Sequence, residues 1–229
     1  MANGITDRLI DRLLVRGTVE SVGRATPRMR AVRVTAPGLD WTPGQQIRVL
    51  VGSGLLGARR TYSVWDYDGE ALDLRVLDHG GEGPGAQWGR SVTPGQEILF
   101  GRPEGRFVTR PGAFHLFVGE ETAAVAFGPM VRSLDGAPVF GVLEVDTQED
   151  RLPIDLTWRY RHGTAAADSA SLVAAVKELE LPDGPGSAYV AGEARTVQAV
   201  RNHLVTDRGW PRRSVLTKPF WAPGRKGME

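Results

Sequence analysis

Ala58-Arg59-Arg60-Thr61-Tyr62-Ser63-Val64-Trp65 is the stretch from which the rest of the chain can be read. It is β-prone, and successive side chains of an extended backbone face opposite ways. Arg60 and Tyr62 therefore share one face, while Thr61 and Ser63 share the other. The arginine offers a planar fork that matches a pyrophosphate, and a phenol two residues on can stack on or hydrogen-bond a ring. Half-exposed sheet with no ligand looks the same, so the neighbours decide. Upstream, 16–22, 29–35 and 45–51 read as strands broken by Pro27, Pro37-Gly38 and Pro43-Gly44, and downstream 60–66, 71–77 and 97–101 continue the pattern. Short strands at hairpin spacing predict a six-stranded antiparallel β-barrel. Ahead of it, Ile5, Leu9, Ile10 and Leu13 recur at helical spacing, which predicts a short amphipathic helix over 5–14.

After the strand at 71–77 comes Asp78-His79-Gly80-Gly81-Glu82-Gly83-Pro84-Gly85-Ala86-Gln87-Trp88, dense in glycine and free of aliphatic bulk. It reads as a loop whose backbone amides can converge on an anion. The order Arg-x-Tyr-Ser followed by His-Gly-x-x-Gly-Pro-x-x-x-Trp resembles the siderophore-interacting protein family, FAD-containing ferric-siderophore reductases of the ferredoxin-reductase-like superfamily. Val118-Gly119-Glu120-Glu121-Thr122-Ala123, Ala191-Gly192-Glu193-Ala194 and Lys218-Pro219-Phe220-Trp221-Ala222-Pro223-Gly224 agree with it, so the resemblance spans nearly the whole chain. It implies that Arg60, Thr61, Tyr62, Ser63, Asp78, His79, Gly80, Gly83, Gly85, Ala86 and Trp88 contact FAD. It also implies that Gly119, Glu120, Glu121, Thr122, Ala123, Gly192 and Glu193 receive a nicotinamide, with Trp221 near the flavin ring. Gly52-Ser53-Gly54-Leu55-Leu56-Gly57 matches a dinucleotide-binding spacing, but that turn must open a helix. A β-prone run follows instead, so a loop is expected there.

Texture changes past Gly101, where Arg102-Pro103-Glu104-Gly105-Arg106 and Arg110-Pro111-Gly112 flank Phe107. A flavin-binding barrel domain over 1–108 and an α/β domain over 109–229 are expected. In the second, strands at 114–118, 139–145, 156–160, 187–191 and 215–218 alternate with helices at 122–133, 170–179 and 193–208, the signature of a parallel sheet with its ligand outside the carboxyl ends of the strands. Gly119 to Thr122 ends the first of these strands and opens a helix, where Thr122 is the expected cap and the helix dipole favours an anion. Glu144 and Asp146 end the next strand, where an acid would accept from a ribose hydroxyl, while Arg159 and Arg161 could pair a 2′-phosphate. NADPH and NADH both remain open as donors.

The chain has 229 residues, 41% hydrophobic, with a net charge of +1 and no cysteine. Disulfides, thiolate metal sites and iron–sulfur clusters are excluded. The balanced charge argues against nucleic acid as a partner, and no apolar run reaches the roughly 20 residues of a membrane span. With no signal-peptide core, a cytoplasmic monomer is expected. His79, His115, His162 and His203 lack metal-ligand spacing, and the resemblance demands no acid–base catalyst, because hydride passes directly to the flavin. Between Arg208 and Lys226 every charged residue is basic. Phe220 and Trp221 in this segment predict that 218–229 folds back toward the flavin as a tail. Lys218, Arg225 and Lys226 would then face an anionic ferric siderophore, with Arg48 and Arg59 the next candidates. The family's commoner ending is Tyr-Trp-Arg, and this chain departs from it. The reading is thus an NAD(P)H-dependent ferric-siderophore reductase releasing Fe(II). The alternatives are a diaphorase-like reductase for a protein carrier or free flavin, and a non-redox siderophore-binding protein.

Overall fold

The computed structural model describes residues 14–52 and 57–225. The helix expected over 5–14 falls outside these residues except for Leu14, and Lys226 also lies outside. The chain divides after Arg106 into two compact units.

The first unit contains β1 (Val15–Thr26), β2 (Met29–Thr35), β3 (Gln46–Val51), β4 (Ala58–Tyr67), β5 (Ala71–Leu77), α1 (Pro84–Ser91) and β6 (Glu97–Phe100). The strands close as an antiparallel barrel in the order β1-β2-β5-β4-β3-β6. Period-two alternation explains its interior: Ile47, Val49 and Val51 of β3 and Leu72, Leu74 and Val76 of β5 are buried. Phe100 closes the wall, pairing with Val15 on one side and Val49 on the other. Each large apolar side chain sealed inside contributes roughly 1.5–3 kcal/mol relative to exposure.

The glycine-rich run expected as a loop through Trp88 becomes helical at Pro84. Proline suits a first helical position because its φ is already set and its missing N–H leaves nothing unsatisfied. Ala86, Trp88 and Gly89 are then buried, with Trp88 joining the barrel core. That packing outweighs the low helix propensity of the glycines.

The second unit contains β7 (His115–Glu120), α2 (Glu121–Arg132), β8 (Val139–Val145), β9 (Thr157–Tyr160), α3 (Ala170–Glu178), β10 (Ser187–Glu193), α4 (Ala194–Asn202) and β11 (Val215–Trp221). All neighbouring strands are parallel in the order β11-β10-β7-β8-β9. The central β7 and β10 are buried along their whole lengths, as expected for strands covered on both faces. Leu116, Val118 and Val190 pack with Leu172 and Val176 of α3 and Val197 and Val200 of α4. On the alternate face, Phe117 stacks on Tyr189 at 4.8 Å and meets Phe127 of α2 at 5.1 Å.

Two expectations change here. The helix expected to run to Arg208 stops at Asn202 and continues as a π-type turn over His203–Asp207. Residues 218–221, expected as part of a tail folding back toward the flavin, belong to β11 and pair with β10, because the apolar Phe220 and Trp221 continue a strand that a neighbour can receive.

Candidate functional site

In the barrel unit the functional candidates converge where β4 meets the start of α1. A methyl group at Gly85 would lie 3.0 Å from the Tyr62 hydroxyl and 3.3 Å from Arg60 Cγ. Glycine is what lets both side chains reach the helix N-terminus, whose unpaired N–H groups and dipole favour an anion. The Tyr62 hydroxyl donates to the Gly85 carbonyl at 3.2 Å, and its ring lies 5.2 Å from that of Trp88. Burial pushes the Tyr62 phenol well above its ordinary pKa, while Arg60 pulls against the shift, so it stays a neutral donor. Arg60 is half-buried and donates to the Arg59 carbonyl at 2.6 Å. Thr61 and Ser63 stand opposite Arg48 and Gln46 in the β3 ladder.

Trp88 and Ala86 are buried in the barrel and support this corner from below. Before α1, Asp78 accepts from the Gly80 N–H at 3.0 Å and from Arg90 at 2.8 Å, and Arg90 also donates to the Gly81 carbonyl at 2.9 Å. These bonds hold the Asp78 carboxyl below its usual range, the Gly80 amide being the largest favourable cause. His79 accepts from the Gly81 N–H at 3.2 Å. Arg90 escaped the sequence reading, since nothing local marks it as the clamp on both ends of the loop.

At the carboxyl edge of the parallel sheet, two Gly-Glu pairs end β7 and β10. Glu120 and not Thr122 is the cap of α2: its carboxylate accepts from the Thr122 N–H at 2.9 Å and also from the Thr122 hydroxyl. The longer glutamate folds back from the strand end, leaving Thr122 inside the first turn. Trp221 Nε1 donates to Glu120 Oε1 at 3.0 Å. Gly192 has φ +117°, and a side chain there would collide with Glu120 Oε1 at 2.6 Å. Burial first, and then the neighbouring Glu121, pushes the Glu120 carboxyl up to about 7, with Thr122 and Trp221 opposing.

Glu121 turns the other way, into a buried two-pronged pair with Arg161 at 2.7 and 2.6 Å. Arg161 also lies 3.6 Å from Glu144. Glu144 is fully buried and accepts from the Ser169 and Ser171 hydroxyls at 2.7 and 3.0 Å. Neither Glu144 nor Arg161 is therefore presented to a ribose or its phosphate, because burial obliges each charge to find a partner inside the fold. Arg159 lies within β9 and pairs with Glu178 near the far end of α3 at 3.5 Å. Asp146 is half-buried just past β8 and accepts from the Gly163 N–H at 2.7 Å.

The residues expected to meet the acceptor fall in both units. Lys218 sits in β11 with its ammonium 5.7 Å from the Phe107 ring and 5.3 Å from that of Phe220. Arg225 is exposed past the strand. On the barrel unit, Arg48 is ion-paired with Glu104 at 2.7 Å and Arg59 is exposed. Among the described residues no group of three or more His, Asp or Glu side chains could hold a metal ion.

A closed antiparallel barrel followed by a five-stranded parallel sheet is the architecture of ferredoxin reductases. Phthalate dioxygenase reductase matches it with a TM-score of 0.73 at 17% identity, over 94% of this chain and 70% of that one. With that fold, this chain belongs to the siderophore-interacting protein family: residues 51–107 match the siderophore-interacting FAD-binding domain and residues 113–224 the siderophore-interacting protein domain. A siderophore utilization protein from T. fusca has the same fold, with a TM-score of 0.81 at 22% identity over 94% of this chain and 95% of its own. The ferric vibriobactin reductase ViuB of Vibrio cholerae is 28% identical over 178 residues, which is 72% of this chain. The match spans 65% of the vibriobactin reductase.

Proposed function

We propose that this protein is an FAD-containing reductase that draws on a reduced nicotinamide and delivers electrons to Fe(III) held in an anionic siderophore. The carrying observation is the corner where Arg60 and Tyr62 close on Gly85 at the N-terminus of α1, inside the stretch that matches an FAD-binding domain. The chemistry of the corner fits the cofactor: a cation beside unpaired helix amides suits a pyrophosphate. FAD, when bound, accepts two electrons from a nicotinamide and passes them on singly.

In this reading Arg60 and the α1 amides hold the pyrophosphate, while Thr61, Ser63, Asp78 and His79 line its approach. The Gly119–Ala123 turn, with Gly192 and Glu193, orients the nicotinamide, and Trp221 is fixed in place by Glu120. Lys218 and Arg225, or Arg48 and Arg59, attract the anionic chelate. One reduced nicotinamide reduces two ferric centres and releases one proton. Hard oxygen ligands hold Fe(II) far less well than Fe(III), so reduction frees the metal.

Charge placement favours NADH over NADPH. Arg161 is engaged with Glu121 inside the fold, and Asp146 stands at the end of β8, where a carboxylate accepts from a ribose hydroxyl and repels a 2′-phosphate.

The decisive experiment is anaerobic steady-state reduction of ferric catecholate, hydroxamate and citrate complexes with NADH and NADPH, Fe(II) being trapped by a chromogenic chelator. Purified protein should be yellow, and Arg60→Ala should lose its flavin. Ferric complexes left inert while free flavin or a protein carrier is reduced would turn the reading into a diaphorase. A protein that binds no FAD would leave only siderophore binding.

A further inference from the structure

The barrel carries a second concentration of positive charge that the flavin corner does not use. Arg24 and Arg30 stand directly opposite each other in the β1–β2 ladder. Like charges in that position are destabilising unless something compensates them. With Arg28 from the connecting turn and Arg90 from the last turn of α1, they line a cavity of about 190 Å³ whose only carboxylate among the described residues is Asp78.

Elsewhere on the same strand the contrast is plain. Arg33 of β2 is met by Glu20, Asp68 and Asp73 at 3.1, 2.5 and 3.0 Å. Arg30 instead donates one Nη to the Arg90 carbonyl at 3.2 Å, and Arg24 donates to the Pro27 carbonyl at 3.0 Å. The Arg30 Nε is buried and has no hydrogen-bond acceptor. Both arginines are thus met by neutral carbonyl oxygens and not by a carboxylate, so the paired positive charge is not offset within the ladder.

We propose that this cavity is a binding site for a compact oxyanion of the phosphate class. Guanidinium groups approach from β1, β2 and α1, three separate directions, which suits a tetrahedral anion whose oxygens point several ways better than a planar carboxylate. Arg90 makes the site more than a surface feature, because its other donors hold Asp78 and Gly81 at the base of the glycine-rich loop.

Equilibrium dialysis of the FAD-loaded protein with radiolabelled inorganic phosphate, at ionic strength held constant with sodium chloride, tests the site. Saturable binding of one phosphate per chain is expected, weakened tenfold or more in Arg24→Gln/Arg30→Gln with FAD occupancy unchanged. Arg24→Gln alone, on an exposed side chain, should give a smaller loss in the same direction and serves if the double variant does not fold. Competition by AMP well below the concentration of inorganic phosphate needed would assign the phosphate of a nucleotide as the source, and equal competition would assign the free ion. Absent saturable binding, binding unaltered by both variants, or loss of FAD in step with phosphate would each overturn the proposal.

Discussion

The chain ends two of its parallel strands with the same pair, Gly119-Glu120 and Gly192-Glu193, and each glutamate caps the helix that follows. Both carboxylates are buried, yet their proton affinities diverge. Glu193 is opposed by burial but accepts from the N–H groups of Thr196, Arg195 and Asp168 and from the Thr196 hydroxyl, and together these hold its carboxyl below the ordinary value. Glu120 receives less compensation and has Glu121 beside it, so its carboxyl rises to about 7. Each turn receives one donor from outside, the Asp168 N–H at Glu193 and the Trp221 indole at Glu120. What separates them is that Glu193 gathers two N–H groups of its helix where Glu120 gathers one, and that only Glu120 has a second carboxylate beside it.

Removing the cation that pairs with Glu121, the neighbour of Glu120, should disturb the comparison most. Arg161→Ala leaves Glu121 and Glu144 buried without their counter-ion, and a loss of about 3–5 kcal/mol is expected in urea unfolding. Glu193→Ala removes a charged cap with several donors and should cost about 2 kcal/mol. Trp221→Phe keeps the ring and deletes one donor to Glu120. About 1 kcal/mol at neutral pH is expected, together with a further rise of the Glu120 pKa, read by NMR titration of its side-chain carboxyl.

Glu120→Gln should matter least at neutral pH, within about 0.5 kcal/mol, because the native group is already half protonated there. Its signature is the pH profile. A carboxyl raised from 4.5 to about 7 holds a proton in the folded chain that the unfolded chain has released, so its stabilisation is complete below 4.5 and is lost as pH rises to about 7. Glu120→Gln should erase that decline. Glu193, held low, has the opposite slope, its stabilisation being lost as pH falls below 4.5; Glu193→Gln should erase the acid-side loss. Urea midpoints between pH 3.5 and 8 that respond alike in the two variants would show the turns to be equivalent.

Much of the architecture was legible because it rests on local pattern. The strands 29–35, 71–77 and 139–145 alternate or run apolar between turn residues, and they appear with those bounds. The helix at 84–91 was hidden because glycine suppresses every propensity signal, and only the burial of Ala86 and Trp88 reveals it. Glu120 was passed over as a cap in favour of Thr122, since short hydroxyl side chains are the usual choice. Glu121 and Arg161 are 40 residues apart, and Glu120 and Trp221 are 101 apart. No periodicity announces such pairs, so Arg161 reads in sequence as an exposed phosphate ligand when it is an internal counter-ion.

The closed barrel has no strand edge to offer another molecule, whereas the parallel sheet has two, at β9 and β11. β9 is only four residues long. β11 carries an exposed Pro219, which has no N–H for an incoming strand, next to the charged Lys218. Short length, proline and charge are how natural sheets discourage edge-to-edge association. Replacing Pro219 with valine would restore a continuous row of donors, turning a capped border into a template for aggregation.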